Sequence, residues 1–211
     1  MVKTLKISAR LKITAFDAQG RKIARISKPV NLLLGNAHKM LAVLFFKETA
    51  VTALPFNTVY PSFNDANNVS RYGNRMRSKD NHALTNIQNE NWAGTTFGYT
   101  GIGNVMLGVG TGTTEPALQD YALASEAASG VNPSRVVAVL SDGRFKVTYA
   151  ITFTFASAIN ITEAGIWFQF YVYSETAGAW GGKWVMLARD VFTAISVPAG
   201  GSVAIEYSFT V

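Results

Sequence analysis

The sequence predicts a mainly β protein: an antiparallel β-sandwich or jelly roll with one helix near the N-terminus and a long irregular insertion. Residues 5–16 and 145–155 alternate between apolar and polar side chains, as strands with one buried face do. After residue 105 the apolar runs are short and are separated by Gly, Pro and Asp-Gly turn signals. Several antiparallel strands joined by short turns are typical of sandwiches. We predict a single domain over residues 1–211.

The first element is a basic β-hairpin. Apolar residues recur at every second position from Leu5 to Ala15, and Lys6, Arg10 and Lys12 lie between them. Residues 17–20 form a predicted turn, and residues 21–26 form the return strand. The pattern therefore predicts a strand pair with one apolar face and one basic face.

The period then changes to that of a helix. Apolar residues between Val30 and Leu44 follow three- and four-residue spacing. Pro29 precedes them and suits the first turn of a helix. We predict a helix over about residues 31–47, packed on the sheet.

Residues 55–104 have no sustained period. Ten Asn residues are mixed with aromatic and Gly residues, and Arg71, Arg75 and Arg77 form a small basic cluster. An irregular segment of this length is uncommon inside a compact domain and is usually functional. We interpret it as an insertion that reaches other molecules.

The remainder is predicted to be β structure. Residues 117–128 are predicted as a short helical turn or coil, residues 141–144 as a tight Asp-Gly turn, and residues 174–182 as a loop. The nearly continuous apolar run at 161–173 predicts a central strand that is covered on both faces. The other predicted strands are 105–109, 136–140, 145–155, 184–187, 194–197 and 203–211.

Composition narrows the classes of function. There is no Cys, which excludes disulfides, thiolate metal sites and cysteine nucleophiles, and there are two His, neither in a recognisable catalytic or metal-ligand context. We predict no catalytic residues, no cofactor and no metal. No secretory signal or bilayer-spanning stretch is visible, so we expect synthesis in the cytoplasm and no membrane association. Only 15% of residues are charged, and with 12% aromatic residues this suggests a surface partly covered by another subunit.

Three weaker signals each have a structural alternative. The Gly-rich stretch 101–112 lacks the spacing of a phosphate-binding loop and is better explained as a bend between strands. Asp65 with its neighbouring Asn residues could hold Ca²⁺, but an Asx turn is the better explanation. Trp92, Tyr99 and Trp180 are candidates for a glycan or receptor platform, although the aromatic residues of the insertion fit a local core better.

Charge is unevenly placed along the chain. Residues 1–50 hold ten Lys and Arg but two Asp and Glu, whereas residues 101–211 hold five and eight. The basic hairpin could contact an acidic neighbour in an assembly, with Arg10, Lys12, Arg21 and Arg25 as candidates. Contact with nucleic acid through the same face stays open but is not favoured.

Two groups of motifs suggest a family. The first is Gly108-Val-Gly-Thr-Gly-Thr-Thr-Glu-Pro116, and the second comprises Glu163-Ala-Gly-Ile-Trp167, Leu187-Ala-Arg-Asp-Val-Phe192 and the hairpin around Val197-Pro-Ala-Gly200. Together they resemble the C-terminal β-domain of small structural proteins from viruses of bacteria and archaea. The opening basic strand, with Phe16-Asp-Ala-Gln-Gly-Arg-Lys22 and a following helix, resembles the start of such proteins.

The resemblance implies a non-enzymatic virion subunit that binds copies of itself and other virion proteins. Glu163 is interpreted as a structural hydrogen-bond acceptor or a subunit contact, and the last strand as one that could pair with a neighbour's sheet edge. The alternatives are a carbohydrate- or receptor-binding module that contacts a host surface glycan, and a subunit of an extracellular filament. The candidate subunit contacts are Arg10, Lys12, Arg21, Arg25, Arg71, Arg75, Arg77, Glu163, Arg189 and Asp190.

Overall fold

The computed structural model describes residues 8–30, 62–64, 70–72, 104–118, 120–174 and 179–210. Within these ranges the chain is mainly β and has no helix: it forms two antiparallel sheets of five and four strands and a separate two-stranded hairpin. The strands are β1 Ser8–Phe16, β2 Lys22–Pro29, β3 Ser62–Asn64, β4 Ser70–Tyr72, β5 Val105–Gly110, β6 Glu126–Val131, β7 Ser134–Val139, β8 Phe145–Thr154, β9 Ile159–Ser174, β10 Ala179–Val197 and β11 Ser202–Thr210.

The larger sheet has five strands in the order β2-β1-β11-β8-β7. Leu11, Ile13 and Ala15 of β1 are fully buried, while the residues between them are only partly covered. The alternation in the sequence therefore corresponds to one core-facing and one outward-facing row, as predicted. A tight turn at 140–143, in which Gly143 has a φ of 81°, connects β7 to β8.

Strand β11 lies in the centre of this sheet. It pairs with β1 from Ser8↔Thr210 to Phe16↔Ser202, and with β8 from Thr154↔Ser202 to Lys146↔Thr210. Both of its edges are therefore occupied by its own chain. Pairing of this strand with a neighbour's edge stays a prediction, and it would require β11 to leave two partners of its own sheet.

The smaller sheet has four strands in the order β10-β9-β5-β6. Strand β9 is buried from Ile161 to Phe168, which confirms the predicted central strand covered on both faces. Strand β10 is one strand of 19 residues where two short strands were predicted. Register shifts at Met186/Ala188 and Val191/Ile195 let it continue through the irregular part of the sequence. Its first residues also occupy part of the predicted loop at 174–182.

A hydrophobic core connects the two sheets. One cluster of buried side chains contains Leu11 of β1, Val109 of β5, Ile166 of β9, Val185 of β10 and Tyr207 of β11, together with their neighbours. A smaller cluster of Leu123, Trp167 and Met186 packs beside the segment that precedes β6. Burial of these apolar surfaces is the main contribution to stability.

Several element boundaries differ from the sequence-based expectations. Pro29 ends β2 where a helix start was predicted, which suits a sheet edge because Pro has no N–H to donate. The short hairpin β3–β4 lies inside the predicted irregular insertion. Strand β6 was not predicted, because Ala, Ser and Gly dominate it. The predicted helix over 31–47 lies outside the described residues.

Candidate functional site

A buried charged cluster joins the two groups of motifs that the sequence singles out. It consists of Glu163 on β9, Arg189 on β10 and Asp120 in the loop between β5 and β6, and we call it the Glu163 centre. The side chains of Glu163 and Arg189 are 0% and 2% exposed, and that of Asp120 is 23% exposed. Residues 111–125, here the 111–125 loop, cover the cluster.

The carboxylate of Glu163 accepts four hydrogen bonds. Its Oε1 accepts from the backbone N–H of Gly112 at 3.0 Å and of Ser125 at 2.7 Å. Its Oε2 accepts from the N–H of Ala124 at 3.0 Å and from Nε of Arg189 at 2.8 Å. The two ends of the 111–125 loop are therefore held to one side chain of the sheet, which confirms the predicted role of Glu163 as a structural acceptor.

Arg189 extends the network to the middle of the loop. Its Nη1 donates to Oδ2 of Asp120 at 2.8 Å and its Nη2 donates to the carbonyl of Thr114 at 2.9 Å. Asp120 in turn accepts from the N–H of Ala117 at 2.9 Å. Buried charges are tolerated when paired and hydrogen-bonded in this way, because each lost contact with water is replaced.

Glycine makes this close approach possible. A Cβ placed on Gly112 would lie 2.4 Å from Oε1 of Glu163 and 2.6 Å from Cβ of Ala124. A Cβ on Gly110 would lie 2.3 Å from the carbonyl oxygen of Ser125. The Gly-Thr-Gly segment is thus explained by packing against Glu163. The predicted bend is corrected, because Val105–Gly110 is strand β5 and neither Gly110 nor Gly112 has a positive φ.

The electrostatics of the centre favour the charged forms. Burial alone would raise the pKa of Glu163, but the N–H of Ser125, the Arg189 guanidinium and the N–H of Ala124 together hold that pKa below its ordinary value. Burial would lower the pKa of Arg189, and hydrogen bonds to Asp120 and Glu163 raise it instead. Glu163 and Arg189 therefore remain ionised across the neutral range.

A second buried carboxylate, Asp190, follows Arg189 on β10 and lies on the other face of that strand. Asp190 is 1% exposed, and its Oδ1 lies 3.3 Å from Nζ of Lys28 on β2. Its Oδ2 accepts from the hydroxyl of Tyr207 at 3.4 Å. Lys28 also donates to the carbonyl of Val191 at 3.1 Å. These contacts connect β2 and β11 of the larger sheet to β10, and burial with the nearby Asp190 charge raises the pKa of Tyr207 well above its ordinary value.

These positions correct part of the prediction. Glu163, Arg189 and Asp190 were expected at subunit contacts, but all three are buried and their hydrogen-bond partners belong to the same chain. Among the described residues, no group of three or more His, Asp or Glu side chains is arranged to hold a metal ion. The arrangement can fix a loop on a sheet and stabilise the fold.

The basic hairpin is partly neutralised by its own chain. Lys12 forms an ion pair with Glu206 of β11, and Arg21 pairs with Asp17 at 2.7 Å. Arg10 donates to the hydroxyl of Ser27, and Arg25 is exposed. The hairpin therefore presents less free positive charge than its sequence indicates.

The remaining candidate contact residues lie at or outside the limits of the described side chains. Arg71 lies on β4 and Trp180 on β10, but only the backbone is described there. Arg75, Arg77, Trp92 and Tyr99, like Asp65, lie outside the described residues.

A surface that the sequence analysis missed lies at the β7 edge. Val137 and Val139 of β7 and Phe145 of β8, which share one face of the sheet, have 56–67% of their surface exposed. We call these three residues the β7 rim. The sequence signal was present, since 136–140 is an apolar run with β-branched residues, but burial of such a run is the usual expectation.

Comparison with protein-family models finds no match, and searches of curated proteins and of solved structures find none either. Within the described ranges, no helix has the length and apolar character needed to cross a membrane. The physical features of the chain therefore carry the functional argument.

Proposed function

We propose that this chain is a non-enzymatic structural protein of a virus particle, which assembles with copies of itself into a tail, capsid or decoration component. In this proposal the two sheets form a β-sandwich, the protein resides in the virion after synthesis in the host cytoplasm, and its partners are other copies and other virion proteins.

The observation that carries the proposal is the β7 rim. Three large apolar side chains, Val137, Val139 and Phe145, are more than half exposed on one face at one border of the five-stranded sheet. Contiguous apolar groups at a surface mark interaction sites, because leaving them in water is unfavourable. A subunit that assembles through this border buries these side chains. The low content of charged residues in the sequence also favours a surface that is partly covered by other subunits.

The Glu163 centre supports the same proposal in another way. Its charged groups are used to fix a loop, with hydrogen bonds to Gly112, Ala124 and Ser125. A rigid loop on a rigid sheet suits a repeated building unit, because interfaces between identical copies require identical shapes. The resemblance of the surrounding motifs to virion β-domains favours a viral particle over other assemblies.

Electron microscopy of the purified protein, with sedimentation velocity at rising concentration, tests the proposal. We expect finite rings, tubes or shells that persist after nuclease treatment and in high salt, because apolar contacts are not screened by ions. A monomer at every concentration would contradict self-assembly. Particles that disappear with nuclease would instead assign assembly to nucleic acid and the basic hairpin.

A further inference from the structure

We propose that the open edge of β7 is a subunit interface, at which β7 of a second copy pairs antiparallel about a two-fold axis at Val137 and joins two five-stranded sheets into one of ten strands. The inference rests on the proposed self-assembly and specifies the surface that performs it.

The four outer strands of the two large sheets differ in how they are protected from pairing with another chain. Edge strands of soluble proteins usually carry charges, Pro or bulges that prevent pairing with another chain. Strand β2 has Lys22, Arg25 and a terminal Pro29. The pairing of β10 with β9 and of β6 with β5 shifts register. Strand β7 pairs with β8 without a shift, carries no Pro, and has Arg135 as its one charged residue. It is thus the least protected of the four outer edges of the two large sheets.

The backbone N–H and C=O groups of β7 point alternately toward β8 and toward the open edge. The N–H of Leu140 donates to the carbonyl of Arg144 at 2.8 Å, so this pair points toward β8. Hydrogen bonding alternates along an antiparallel strand, so Val136 and Ala138 also point toward β8. The N–H and C=O groups of Arg135, Val137 and Val139 point toward the open edge. Pairing centred on Val137 satisfies the backbone groups of all three residues. Val137 lies opposite Val137 of the partner copy, and Arg135 lies opposite Val139 of the partner copy.

The exposed apolar side chains of the β7 rim share one face of the sheet. Residues opposite each other in a ladder share one face, and Arg135 lies opposite Tyr149, which lies opposite the buried Tyr207. Val137, Val139 and Phe145 therefore extend the core-facing row of the sheet, yet each is more than half exposed. Two-fold pairing places the rows of both copies side by side on the same face, where they cover each other.

Charge favours a second copy as the occupant. The antiparallel arrangement places Arg135 opposite Val139 of the partner copy, and the two Arg135 residues lie about 13 Å apart along the strands. Like charges directly opposite are thereby avoided. Five paired residues span about 17 Å, so the contact buries on the order of 350 Å² per copy, less than half of a standard interface. The edge alone therefore supports weak, concentration-dependent association that other contacts reinforce in a particle.

The test uses a matched pair of substitutions in the full chain. Val137→Lys places two Lys residues opposite each other at the axis, whereas Val136→Lys places a Lys opposite Ala138 on the other face of the same strand. We expect Val137→Lys to weaken self-association at least about tenfold in sedimentation velocity, and Val136→Lys to change it far less. Val139→Lys, which would face Arg135 of the partner copy, provides a second disruptive variant if Val137→Lys folds poorly.

Amide hydrogen exchange by NMR gives an independent measurement. Slower exchange of Arg135, Val137 and Val139 as the concentration rises, with Val136 and Ala138 protected throughout, is the expected result. Wild-type assembly that Val137→Lys and Val139→Lys leave unchanged would overturn the interface but leave the proposed function standing. A wild-type monomer at every concentration would overturn both. Protection of the edge in the monomer, or irregular aggregation in place of a finite species, would also overturn the interface.

Discussion

The Glu163 centre and the β7 rim lie in one small molecule but differ in what covers them. At the Glu163 centre, charged groups are buried, and their hydrogen-bond partners lie within the chain. At the rim, apolar side chains are exposed at the border of a sheet. The centre is therefore complete in the isolated subunit, whereas the rim gains stability only when something covers it. The difference separates residues that make the fold from residues available for contact with other molecules.

Removing the charge of Glu163 should have the largest effect on the stability of the isolated subunit. Glu163→Gln leaves Arg189 without one of its carboxylates and offers the loop amides a weaker acceptor, so we expect the free energy of unfolding to fall by about 3–5 kcal/mol. Chemical denaturation of both proteins measures the loss. Glu126→Gln, at an exposed acidic residue of β6, is the control and should stay within about 0.5 kcal/mol. Equal stability of wild type and Glu163→Gln would refute the structural role.

Filling the space beside Glu163 should have the next largest effect. Gly112→Ala forces a methyl group against Glu163 and Ala124, and we expect a loss of about 1–3 kcal/mol. Gly130→Ala is the matched control, since its methyl group would meet the movable end of Ile151. Thermal unfolding compares the two variants. A Gly112→Ala protein as stable as Gly130→Ala would show that the loop adjusts easily.

The stabilisation that the Glu163 centre provides should be lost in acid and retained at neutral pH. The pKa of Glu163 is lower in the folded protein than its ordinary value of 4.5, so the unfolded chain binds more protons below that pH. The stabilisation is therefore present above about pH 4.5 and is lost as the pH falls through the folded pKa. Denaturation between pH 3 and 7 checks this, and the curve for Glu163→Gln should be flatter. Parallel curves would assign the acid sensitivity to other carboxylates.

The smallest effect on stability is expected at the rim. Val137→Lys replaces a side chain that is 56% exposed, and we expect the free energy of unfolding to change by at most about 0.5 kcal/mol. Denaturation at a concentration too low for self-association measures it. A large loss there would mean that Val137 supports the fold of the single subunit and would weaken the contrast between the two regions.

The sequence predicted the elements whose signals are local. The alternation in β1 and β8, the apolar run of β9 and the Asp-Gly turn each depend on neighbouring residues, and the structure contains all four. Glu163 was also recognised, because an acidic residue that opens an apolar strand is unusual. Strand β6 was missed because Ala, Ser and Gly form strands only when a neighbour such as β5 is present.

The partners within the centre could not be predicted from the sequence. Asp120 is 69 residues from Arg189, and nothing in its local pattern distinguishes it from nearby Glu115. In the sequence, Arg189 and Asp190 have the pattern of surface charges. In the structure they lie on opposite faces of β10, and both are buried. Their burial depends on tertiary packing, which a local pattern does not contain.

The central position of β11 has a consequence for how the protein is made. Strand β1 is nearly two hundred residues from its partner β11, and β8 joins the same sheet only through β11. Until the ribosome has released Ser202–Thr210, the β1–β2 and β7–β8 hairpins have no strand between them. The five-stranded sheet can therefore form only after synthesis of these last residues, and contacts between segments so distant in sequence make folding slow. A nascent chain must keep its apolar hairpins from wrong partners during that interval.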